Sequence, residues 1–144
     1  MAIFGAGSKW ENDEMSQDFF RNENFVIGWN INDAEDLYSL ISTIKIGDII
    51  YLKSNQPGSL NLKIKGVGIV KNSFLGVLFQ NEENLSLRKH SFELPVEWIC
   101  KAEFNIVIPI NIGKLTHIRS GTLYEEYLPY VQREVLTKMF SKLS

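Results

Sequence analysis

Cysteine is almost absent from this chain of 144 residues: Cys100 is its single thiol, so no internal disulfide can staple the fold. Two histidines, His90 and His117, are too few to build a zinc cluster with that thiol. The expectation is a fold without metal or cofactor. No apolar run approaches the roughly 20 residues of a membrane span. The opening stretch, from Met1 to Glu11, lacks the charged and apolar regions of a signal peptide. These absences predict a cytoplasmic protein with no membrane partner. Excess charge is missing too: the net value of -2 argues against indiscriminate nucleic-acid binding and leaves room only for a local groove of Lys and Arg. Repeats, low-complexity tracts and linkers are also absent. What remains, 44% hydrophobic and 22% charged residues, suits one globular domain spanning 1–144.

Hydrophobic periodicity orders that domain. Ala2–Phe4 reads as a strand opening into a flexible loop, Gly5-Ala6-Gly7-Ser8. Asn12–Arg21, with Asp13 and Glu14 ahead of Phe19 and Phe20, suggests a turn or two of helix. Phe25–Trp29 reads as a second strand. Asn32 then opens a helix with Glu35 in the position of a capping-box acid, and Leu37, Leu40, Ile41 and Ile44 fall on its apolar face. Gly47-Asp48 turns the chain into a strand at Ile49–Lys53, and Asn55–Gly58 joins it to a partner in which Leu60, Leu62 and Ile64 alternate with polar residues. The two glycines of the run Gly66-Val67-Gly68-Ile69-Val70 mark a bulge, a barrel corner or a close backbone approach, and strong curvature is expected there. Phe74–Phe79, Leu94–Phe104 and Val107–Ile112 supply further strands, with a polar excursion at Asn81–His90. From about residue 121 the period becomes helical. A short Leu123–Leu128 segment is divided by Pro129 from a longer helix with Val131, Val135, Leu136, Met139, Phe140 and Leu143 on one stripe. The expected class is α+β: a curved, mainly antiparallel β-barrel with peripheral helices.

The ordered features Phe4–Ser8, Phe25–Trp29, Lys45-Ile46-Gly47-Asp48 and Lys65-Gly66-Val67-Gly68-Ile69-Val70 resemble the PUA-like superfamily. Their nearest echo is its EVE and YTH branch, which has a "KxGD" turn into a strand and a strand close to "IxGIGxV". The likeness covers residues 1 to about 105. It implies a pseudobarrel that binds DNA or RNA, often by taking one extruded or modified base into an aromatic pocket; EVE-like modules also occur in bacterial defence against modified DNA. Gly-Ala-Gly-Ser stands here where the family usually has a Lys-Ser type of segment.

Candidate binding residues carry two readings each. Trp10 and Trp29 either stack on a flat base, worth roughly 1 to 3 kcal/mol per contact, or brace the core; Trp98, between apolar neighbours, is read as structural. Gly5, Gly7 and Ser8 offer close backbone approach and hydrogen bonds to a base edge or phosphate, or simply turn the chain. Lys53 and Ser54 contact phosphate, or end a strand in solvent. Arg119, Ser120 and Thr122 gather a guanidinium and two hydroxyls before a helix, suited to an anion or to capping.

Catalysis has less behind it. Asp48 is followed by Asn61-Leu62-Lys63, which lacks the second acid of a metal-dependent nuclease. Cys100 reads as a structural thiol, the acids Glu11, Asp13, Glu14, Glu82 and Glu83 as solvated, and no nucleotide-binding glycine motif occurs in its required context. The sequence therefore points to a noncatalytic nucleic-acid-binding domain, its pocket between the first loop, Trp29 and the Arg119 turn. The alternative is a protein–protein or homo-oligomerisation module using the C-terminal helix.

Overall fold

The structure, a computed structural model, describes residues 1–54, 59–79, 93–112, 119 and 121–143. The Asn55–Gly58 connection, the Asn81–His90 excursion with Glu82 and Glu83, and His117 and Ser120 lie outside the described residues. Strand β1 (Ile3–Gly7) leads into a small hairpin of β2 (Lys9–Trp10) and β3 (Asp13–Glu14). Helix α1 (Ser16–Asn22), strand β4 (Asn24–Phe25), a 3-10 turn (Ile31–Asp33) and helix α2 (Glu35–Ile41) follow. The central strands are β5 (Ile49–Ser54) and β6 (Asn61–Val70). After α3 (Phe74–Leu78) come β7 (Leu94–Cys100), β8 (Phe104–Val107), β9 (Leu123–Glu125) and α4 (Pro129–Leu143).

Seven strands form one curled sheet in the order β4-β7-β6-β5-β1-β9, with β8 also on β6. Among the described residues only β1 and β5 run parallel; the other pairs are antiparallel. The result is a half-barrel with helices around it. No pairing among the described residues joins β4 to β9, so the expected barrel is open.

Alternation along the strands builds two cores. Phe4, Ile50, Leu52 and Trp98 face one, with α1 and α2; Ile3, Ile49, Tyr51 and Ile64 face the other, with α4. The glycine-rich strand curves as its sequence predicts, with register shifts between Val67 and Gly68 and between Leu52 and Lys53. At the Gly47-Asp48 turn, Gly47 adopts a left-handed φ of 88° that suits a residue without Cβ. The Asp48 carboxylate closes the turn, accepting from the Lys45 amide at 2.8 Å and the Ala2 amide at 2.9 Å.

Several local expectations are corrected. Gly5-Ala6-Gly7 is strand, not loop, because β5 and β9 pair with β1 on its two sides. The strand expected at Phe25–Trp29 ends at Phe25. Asn32 caps no helix: it lies in the 3-10 turn, and α2 follows Ala34 without a side-chain cap. Phe74–Leu78 is a helix, started by the Ser73 hydroxyl accepting from the Gly76 amide at 2.9 Å, a cap that outweighs the run's strand-like composition. Likewise Leu123–Glu125 is a strand on β1, whereas Pro129 occupies the first position of α4, where its missing N–H costs nothing.

Candidate functional site

The hairpin β2–β3 carries Trp10 to the rim of a cleft of about 790 Å³. The segment that leaves β4 brings Val26, Ile27, Gly28 and Trp29 to the same cavity. Trp10 is half-buried, its ring edge-on to Phe19 at 6.0 Å. Phe19 in turn meets Phe25 at 5.4 Å, so an aromatic chain anchors the indole to the core. Gly28 permits its close seating: a Cβ there would come within 2.7 Å of Trp10 Nε1. Trp29 is the open partner, 58% exposed. Its backbone is fixed, since the Tyr38 hydroxyl donates to the Trp29 carbonyl at 2.6 Å from α2.

A polar corner completes the cleft. Asn24 Nδ2 donates to Glu93 Oε2 at 2.6 Å, and the Asn24 carbonyl accepts from Trp98 Nε1 at 3.1 Å. Asn24 is 7% exposed, and its Oδ1 is buried without a hydrogen-bond partner among the described residues. Asn24, Tyr38, Gly28 and Glu93 were not singled out in the sequence. Asn24 and Glu93 meet only because β4 pairs with β7, a contact across 69 positions.

The other candidates gather elsewhere, around the ends of β1 and β5, and do not line this cleft. Gly5 is buried with the Tyr124 ring against it, so it serves ring packing and offers no open backbone. Gly7 pairs with Lys53, and its amide donates to the Thr122 carbonyl at 2.9 Å. Ser8 is buried, its hydroxyl donating to Glu14 Oε2 at 2.5 Å. Lys53 is no solvated strand end either: it is buried and donates to the Arg119 carbonyl at 2.5 Å. Burial, with Lys65 nearby, pushes its amine down to about 8. Ser54 is exposed at the strand end and Thr122 half-buried.

Arg119 is corrected most sharply. It is 1% exposed, with Nε donating to Glu126 Oε1 at 2.8 Å and Nη2 to Glu126 Oε2 at 2.7 Å. The same carboxylate accepts from the Tyr51 hydroxyl at 2.7 Å. Burial alone would lower the guanidinium's affinity for its proton, but the Glu126 hydrogen bonds and charge win and raise it. Such a cation is engaged inside the protein and is not presented to phosphate. The expected pocket between the first loop, Trp29 and the Arg119 turn thus keeps the two tryptophans and loses the arginine. Trp98 and Cys100 are buried as read, with the Cys100 thiol pushed up chiefly by burial.

No protein-family model matches the chain, and no curated protein matches it. The site's own chemistry therefore carries the functional argument.

Proposed function

We propose that this half-barrel is PUA-like, of the EVE and YTH kind, and that it binds nucleic acid without catalysis by taking one base, modified or flipped out of its stack, between Trp10 and Trp29. One observation carries the reading: two tryptophans from separate elements, each fixed by its own backbone or ring contacts, share a cleft with a polar corner. A flat heterocycle uses such a site fully, stacking on π-faces and pairing at its edge. Each base–aromatic contact contributes about 1–3 kcal/mol, comparable with the few kcal/mol that unstacking one base costs. With a net charge of -2, affinity comes mainly from the captured base and little from the phosphate chain.

A screen of modified and unmodified oligonucleotides, single- and double-stranded, tests this. The best oligonucleotide should lose roughly 5- to 150-fold in affinity with Trp10→Ala or Trp29→Ala, the range those stacking energies convert to. Undiminished affinity in both variants, with native circular dichroism, would overturn it.

A second reading is self-association through α4. Val131, Val135 and Met139 of its stripe are buried against the sheet, but Phe140 and Leu143 remain 59% and 54% exposed. Sedimentation of wild type and Phe140→Asp decides: a wild-type monomer at all concentrations removes this reading.

A further inference from the structure

We infer that the cleft selects an electron-poor base: a flat heterocycle with positive ring charge and N–H donors on its edge, such as guanine methylated at N7 or adenine methylated at N1. This rests on the base-binding reading above and names the class of base. Three independent features support it.

The first is the walls. An indole face is the electron-rich pole of a quadrupole and attracts cations more strongly than any other side-chain ring. The second is charge. Among the described residues lining the cleft, Asp33 and Glu93 are the carboxylates, and none is Lys or Arg. An anionic group would meet only like charge there, whereas a cationic ring has both carboxylates to face. The third is the polar corner. Glu93 takes the Asn24 Nδ2 donor, which orients the amide and leaves Oδ1 as the unpaired end. A buried acceptor without a partner is costly, and a ligand N–H recovers that cost. Glu93 engages one of the two Nδ2 hydrogens, and with Oδ1 and the Glu93 carboxylate both acceptors this corner favours an edge that donates over one that accepts.

Matched nucleosides test charge apart from size. 1-Methyladenosine and N6-methyladenosine are isomers, the first cationic and the second neutral in mildly acidic buffer; 7-methylguanosine and guanosine form a second pair. Calorimetric titration of the full chain should show the cationic member binding roughly tenfold tighter in each pair, the scale of a partly desolvated cation–π contact. Glu93→Gln keeps a hydrogen-bond acceptor and removes the charge, and should shrink that preference several-fold. Asn24→Leu, checked for native circular dichroism, should weaken the cationic members. Equal or tighter binding of the neutral members overturns the inference while leaving base binding intact, and so does a preference that Glu93→Gln leaves untouched. Failure of every nucleoside and every oligonucleotide to bind overturns both.

Discussion

The guanidinium of Arg119 and the carboxylate of Glu126 meet at 2.7–2.8 Å with side chains 2% and 1% exposed. Removing one partner of such a pair leaves a buried charge uncompensated, which costs about 3–5 kcal/mol. Arg119→Met should lose about that much in urea unfolding, and the double variant Arg119→Met/Glu126→Leu should lose less than the two single changes added together. In either folded variant the salt dependence of oligonucleotide binding should stay as in wild type, because no phosphate contact has gone. A shallower salt slope would return Arg119 to the binding surface. The residue types in Arg119–Thr122 suit an anion site, and nothing local contradicts that reading. What decides is Glu126, the residue after β9, together with Tyr51 from a strand 75 positions away. Trp10 and Trp29 stand out in the sequence as large aromatics that either stack on a flat base or brace the core, and the fold brings both to one cleft. Asn24 does not stand out, since its meaning comes from Glu93.

At the scale of elements, the Trp10 hairpin hangs on Glu14. Its carboxylate accepts from the Ser8 hydroxyl, from the Ser16 amide at 3.1 Å and from Lys65. Burial would raise this carboxyl, but the hydrogen bonds from Lys65, Ser8 and Ser16 outweigh it and hold it at about 2, against an ordinary 4.5. A depressed carboxyl binds fewer protons folded than unfolded, so its stabilisation is complete above 4.5 and is lost as pH falls toward 2. Urea midpoints measured down this range should fall more steeply for wild type than for Glu14→Gln, and identical slopes would show that Glu14 does not tie the hairpin down. The hairpin itself escaped the sequence reading, which placed a helix from Asn12. Two-residue strands such as β2 and β3 have no periodicity to read. Elements set by local chemistry were legible: the Gly47-Asp48 turn, the Gly66–Gly68 curvature and the stripe of α4. Those set by partners were not, as Gly5–Gly7 shows, where strand pairing on both sides overrides the turn preference of glycine.

Across the whole molecule, the sheet separates two jobs. Phe19, Phe25, Ile27 and Tyr38 belong to the core that supports the cleft, whereas Val131, Val135 and Met139 fix α4 on the opposite core. The two cores lie on opposite faces of the sheet and share no buried residue, so defects on one side should act on stability alone when seen from the other. Met139→Ala leaves a void under α4 and should cost about 2–5 kcal/mol of unfolding free energy without altering base affinity. Phe19→Leu removes the ring that meets both Trp10 and Phe25. It should lower stability and also weaken binding several-fold, because the Trp10 indole loses its brace and must be ordered by the ligand. Urea unfolding and calorimetric titration of the same two variants separate these outcomes. An equal loss of affinity in both would mean that the two cores are coupled and that α4 helps to shape the cleft through the sheet.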